Sequence, residues 1–180
     1  MKGLLLLLLV NRSLAFTPLV RTRATMSLPV DDLETRLFHE TDSRPIVLYD
    51  GVCNLCNGAV NFVLDHDRMG QLRFAALQSN VGKALLELAG RRPDDISSIV
   101  LVTKGAKAYV KAEAVLRIGE IIQASVPIAG LSPVARALVP KPLADFAYDF
   151  VADNRYSFLG HSDQCRFSDE GFEDRFIKDL

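Results

Sequence analysis

The stretch that decides the fold is Pro45-Ile46-Val47-Leu48-Tyr49-Asp50-Gly51-Val52-Cys53-Asn54-Leu55-Cys56-Asn57-Gly58. Pro45 to Tyr49 is a continuous apolar run with β-branched residues, bounded by Pro45 and by Asp50-Gly51. It reads as a strand buried on both faces. From Cys53 to Asp67 the apolar residues Leu55, Ala59, Val60, Phe62, Val63 and Leu64 recur at helical spacing, and Met69-Gly70 closes the helix. A spacing of three puts Cys53 and Cys56 one helical turn apart, within disulfide reach. The first turn of a helix carries unpaired N–H groups and partial positive charge, which favour a thiolate. Only the thiolate is a nucleophile, so Cys53 is expected to attack and Cys56, one turn inside, to resolve.

Working outward, Leu72–Leu77 reads as the next strand and residues 81–90 as a helix ending at Gly90. Ile99–Thr103 and Ala106–Val110, joined at Lys104-Gly105, carry a hairpin signal. Glu113–Gln123 has a helical apolar face of Val115, Leu116, Ile118, Ile121 and Ile122, expected to be core. Four prolines between 127 and 142 predict an irregular connection or short helical pieces that start at proline. Leu143–Val151 is expected to be a final helix. Residues 155–180 are polar with scattered aromatics, among them Phe172 and Phe176, that would pin the segment down. A parallel strand–helix–strand unit followed by a hairpin and a helix is the order of an α/β, thioredoxin-like sandwich, here with a C-terminal helical extension. Cys-x-x-Cys beside such a unit is a thioredoxin-like redox signature.

The chain has 180 residues, 49% hydrophobic and 24% charged, which excludes disorder as its main state. No apolar run approaches the roughly 18–20 residues of a membrane span. Three cysteines are too few for a disulfide scaffold. A net charge of −1 gives no basic field for nucleic acid. Residues 1–25 read as an address rather than fold. Leu4 to Val10 is a short apolar run, and Ser13 and Ala15 set a cleavage position. Phe16 to Thr25 then has two Arg, three Thr and no acid, which is transit-peptide composition. A signal peptide followed by such a stretch is similar to the two-part presequences of algae with secondary plastids. The other readings are a secretory signal or a mitochondrial presequence. Removing Lys2, Arg12, Arg21 and Arg23 leaves −5 on the rest, a mildly acidic domain. The expected organisation is a presequence over 1–25, a linker or short helix over 26–43, the domain over 44–165, and a tail over 166–180.

Asp50-Gly51-Val52-Cys53-Asn54-Leu55-Cys56 resembles the Asp-x-x-Cys-x-x-Cys signature of the DCC family of thiol–disulfide oxidoreductases. Phe62, Asp67, the stretch Arg73–Ser79, the hairpin from Ser98, and Asn154-Arg155-Tyr156 are also similar to the family pattern. The resemblance implies a thioredoxin-like fold, protein-dithiol chemistry, and a site at Asp50, Cys53 and Cys56. It implies protein dithiol or disulfide substrates and a separate electron donor or acceptor, with no metal or organic cofactor. The linker is Asn54-Leu55 rather than the Gly-Pro of thioredoxins, and the chain has no Trp. The position where thioredoxins carry a cis-proline falls near Ser97 or Ser98, so a thioredoxin-like peptide groove does not carry over.

Other readings of the same residues stand beside these. Cys53, Cys56, His161 and Cys165 could supply a Cys3His zinc set in a non-catalytic binding module. Structural zinc pairs, however, sit on tight hairpins rather than at the start of an amphipathic helix. The two cysteines could also be inert core residues. Asp50 could cap the helix or take the proton of Cys56. Arg155-Tyr156 reads as an Arg–carboxylate clamp plus an aromatic anchor.

Overall fold

A computed structural model describes residues 30–123, 126–161 and 171–177. The expected presequence and Cys165 lie outside the described residues. Strands β1 (Ile46–Tyr49), β2 (Arg73–Ala76), β3 (Val100–Thr103) and β4 (Lys107–Val110) form one sheet in the order β2-β1-β3-β4. β1 pairs parallel with β2 and antiparallel with β3, and β3 pairs antiparallel with β4. The parallel pair is joined by the helix α2 (Asn54–His66), as a parallel connection requires. The hairpin turns at Gly105, whose φ of +83° is open to glycine at no steric cost.

All four residues of β1 and of β2 are buried. Because strand side chains alternate, each run feeds two cores. Ile46, Leu48, Ala75 and Leu77 meet Leu33 and Leu37 of α1 (Val30–Leu37) and Val81, Leu85 and Leu86 of α3 (Asn80–Leu88). Val47, Tyr49, Phe74 and Ala76 meet Val60, Val63 and Leu64 of α2 and Ala114, Ile118 and Ile122 of α4 (Lys111–Ile122). The result is the thioredoxin-like sandwich, helices on both faces of a mixed sheet. Burying each large apolar side chain contributes about 1.5–3 kcal/mol over leaving it exposed.

Two expectations need correction. The final helix is not confined to 143–151. After a 3-10 turn at Pro127–Leu131 and α5 (Ser132–Leu138), α6 runs over Lys141–Leu159. No Gly or Pro interrupts it between Pro142 and Gly160, and its late residues Arg155 and Tyr156 reach a buried carboxylate. The apolar face of α4 is also not all core. Ala114, Ile118 and Ile122 are buried, whereas Val115 is 48% exposed. Beyond α6, Phe176 pairs with Phe74 and so covers the free edge of β2. Phe74 N–H donates to Arg175 O at 2.7 Å and Ile177 N–H to Phe74 O at 2.9 Å.

Candidate active site

β1 ends at Tyr49, and a turn delivers the first cysteine to the start of α2. Cys53 is the N-cap, with extended backbone (φ −97°, ψ 119°). Its Sγ accepts the Cys56 N–H at 3.4 Å. This is the N–H a capping side chain ordinarily satisfies, here held on sulfur. Cys53 is fully buried, and Cys56 is partly exposed. The Cys56 thiol is pushed up to about 12, first by burial, then by the hydrogen bond and charge of Cys53 and the charge of Asp50, against a lowering by Arg155. Cys56 is therefore held as a protonated thiol beside a capped sulfur.

Asp50 does not cap α2. It is buried just past the end of β1, 3% exposed, and its carboxylate accepts four hydrogen bonds among the described residues. Val52 N–H (3.2 Å) and Gln78 Nε2 (2.7 Å) donate to Oδ1. Arg155 Nη2 (3.2 Å) and the Tyr156 hydroxyl donate to Oδ2. Gln78 in turn accepts Gly51 N–H at 3.0 Å, which fixes the turn between strand and helix. Burial would lower Arg155, but Tyr156 and Asp50 outweigh it and leave its pKa raised. Tyr156 is raised by burial and then by its bond to Asp50. Breaking a buried charge pair of this kind costs about 3–5 kcal/mol when one partner is removed.

The end of α6 lies over the start of α2. Cys53 forms an isolated antiparallel bridge with His161. Asn54, inside the Cys-x-x-Cys, donates through Nδ2 to Leu159 O (2.7 Å) and His161 O (3.2 Å). The His161 ring stacks on Tyr156, centroids 4.1 Å apart and planes 11° apart. Among the described residues no group of three or more His, Cys, Asp or Glu could hold a metal ion. Cys165, the fourth member of the zinc alternative, lies outside them.

The fold thus brings Asp50, Cys53 and Cys56 together as the motif implied. Arg155 and Tyr156 were legible only as a clamp and an anchor; the carboxylate they clamp is Asp50 itself. Gln78 carried no signal beyond its place in the Arg73–Ser79 stretch. Arg73 from that same stretch serves the fold: its guanidinium donates to Leu37 O and Arg44 O and pairs with Asp42.

A dithiol at a helix start after a buried strand, on a four-stranded mixed sheet, defines a thioredoxin-like thiol–disulfide protein. Residues 47–161 match the DCC1-like thiol-disulfide oxidoreductase family, and the chain belongs to that family. It is 53% identical over 134 residues to a chloroplastic DCC family protein of Arabidopsis thaliana, covering 73% of this chain and 74% of that protein. It is 35% identical over 132 residues to the uncharacterized protein YuxK of Bacillus subtilis, covering 73% of this chain and 93% of that one. No solved structure matches the chain.

Proposed function

We propose that the chain exchanges disulfides on protein substrates through Cys53 and Cys56, with Asp50 as proton acceptor. The Cys53 thiolate attacks a substrate disulfide. That S–S bond breaks, one substrate thiolate leaves, and a mixed disulfide forms at Cys53. Cys56 gives its proton to Asp50 and attacks the Cys53 sulfur, releasing the second substrate thiolate. The Cys53–Cys56 disulfide that results is reset by a separate dithiol donor; run backwards, the same steps oxidise a substrate dithiol. No metal or organic cofactor is required.

The observation that carries this reading is the Cys56 N–H held on the Cys53 sulfur at the start of α2, with Cys56 as the protonated partner. The test is turnover of a peptide disulfide with a dithiol donor, together with the reduction potential of the pair. A potential near −270 mV marks a reductant and one near −120 mV an oxidant. Absence of any exchange by the reduced protein would overturn the proposal. We place this activity in a plastid, because the related Arabidopsis protein is chloroplastic and residues 16–25 have transit-peptide composition. Residues 1–30 fused to a fluorescent protein should direct it to plastids; delivery to mitochondria or the secretory pathway would contradict that placement.

A further inference from the structure

Asp50 and Cys56 form part of the wall of an open cavity of about 560 Å³ lined by α2, α4, α6, the segment 96–99 and the sheet face beneath them. The rest of the wall is almost entirely apolar, including Leu55, Val63, Ile118, Ile122 and Ala152. Its rim carries Phe62, Val115, Val151 and Ile96, each more than a third exposed. Disulfide exchange needs two sulfurs and a proton acceptor, and none of these needs such a chamber.

We infer that this cavity selects the substrate: it takes a large apolar side chain flanking the substrate's cystine. The inference rests on the exchange reading above and names its substrate class. The occupant is a peptide side chain because Cys56, the resolving thiol, lies on the cavity wall. A residue seated against Cys56 brings the adjoining cystine to the two sulfurs, whereas a free apolar molecule there would stand in the way. The volume falls in the range of about 300–1,000 Å³ that buries compact ligands. Apolar anchors in such pockets carry most of the recognition at protein interfaces. Docking also has to displace the Gly160-His161 cover from Cys53, and the anchor holds the substrate while that contact opens.

The test uses the full chain and three substrates: a peptide disulfide with Leu beside the cysteine, the same peptide with Ser there, and hydroxyethyl disulfide, which has no side chain to seat. The wild type is expected to favour the Leu peptide over the Ser peptide by about tenfold or more in kcat/KM. Ala59→Trp, on the exposed face of α2 at the cavity wall, should bring the two peptides within about twofold and leave hydroxyethyl disulfide unchanged. Phe62→Ser, at the rim, should weaken the Leu preference in the same direction without filling the cavity. Equal kcat/KM for the two peptides in the wild type would overturn the inference. So would equal losses on all three substrates in both variants, or a concentration-dependent dimer that Ala59→Trp abolishes. If the wild type does not turn over hydroxyethyl disulfide at all, it is the exchange reading that fails.

Discussion

Two buried aspartates flank α2, and both hold an arginine from the C-terminal part of the chain. Asp67, at the end of the helix, accepts Gln71 N–H (3.0 Å) and Leu72 N–H (2.9 Å) and pairs with Arg175, whose Nε also donates to Leu72 O. Asp50, at the start, accepts one backbone N–H and three side chains. Both are 3% exposed. What separates them is what lies next to them. Asp67 closes a turn and ties the segment over β2, with no reactive group in its set of partners. Asp50 shares its cavity wall with Cys56, and one of its partners is a hydroxyl whose proton can exchange. The same Asp–Arg chemistry thus serves the fold at one end of a helix and the dithiol at the other.

The comparison can be broken at its structural end first. Asp67→Ala leaves Arg175 buried without its charge partner and should cost about 3–5 kcal/mol in chemical denaturation. Exchange per folded molecule should stay near wild type; a loss of activity without loss of stability would erase the distinction. At the other end, Asp50→Asn keeps the shape and removes the proton acceptor. Resolution of the mixed disulfide should slow by about 10²-fold or more, as seen in stopped-flow traces. In that variant the Cys56 pKa should fall, because the Asp50 charge is one of the causes that raise it. Thiolate absorbance against pH would show this as a titration shifted to lower pH while the rate still drops.

A smaller shift sharpens the pairing of the two cysteines. In Cys53→Ser the hydrogen bond and charge of the Cys53 sulfur are gone, but burial remains. The Cys56 pKa should therefore move down from about 12 and stay above the ordinary 9.0, measured by the same absorbance titration. The smallest effect is expected from Tyr156→Phe. It removes one hydrogen bond from Asp50, about 0.5–1.5 kcal/mol, and should slow exchange only a few-fold. A loss as large as that of Asp50→Asn would move the proton chemistry from Asp50 to Tyr156.

The sheet and the dithiol were legible because their signals are local. A short β-branched apolar run closed by Pro45 and Asp50-Gly51 reads as a buried strand, and a three-residue spacing places two sulfurs on one turn. The end of α6 was not legible, since the apolar spacing that marks its start is interrupted after Ala152 by the polar run Asp153-Asn154-Arg155. Arg155 and Tyr156 could be read only as a clamp, separated from Asp50 by about a hundred residues of chain. Val115 has the hydropathy of a core residue, and only packing shows that it borders a cavity instead. The burial of Cys53 under His161 likewise depends on a contact made across the whole domain.

The most direct test of the account is to let Cys56→Ser and Cys53→Ser each react with a peptide disulfide and to weigh the products by intact-mass spectrometry. Cys56→Ser should accumulate a peptide adduct at Cys53, because nothing remains to resolve it, and Cys53→Ser should accumulate none over the same time. A stable adduct on Cys56 in the second variant, with none at Cys53 in the first, would contradict the assigned order of the two thiols.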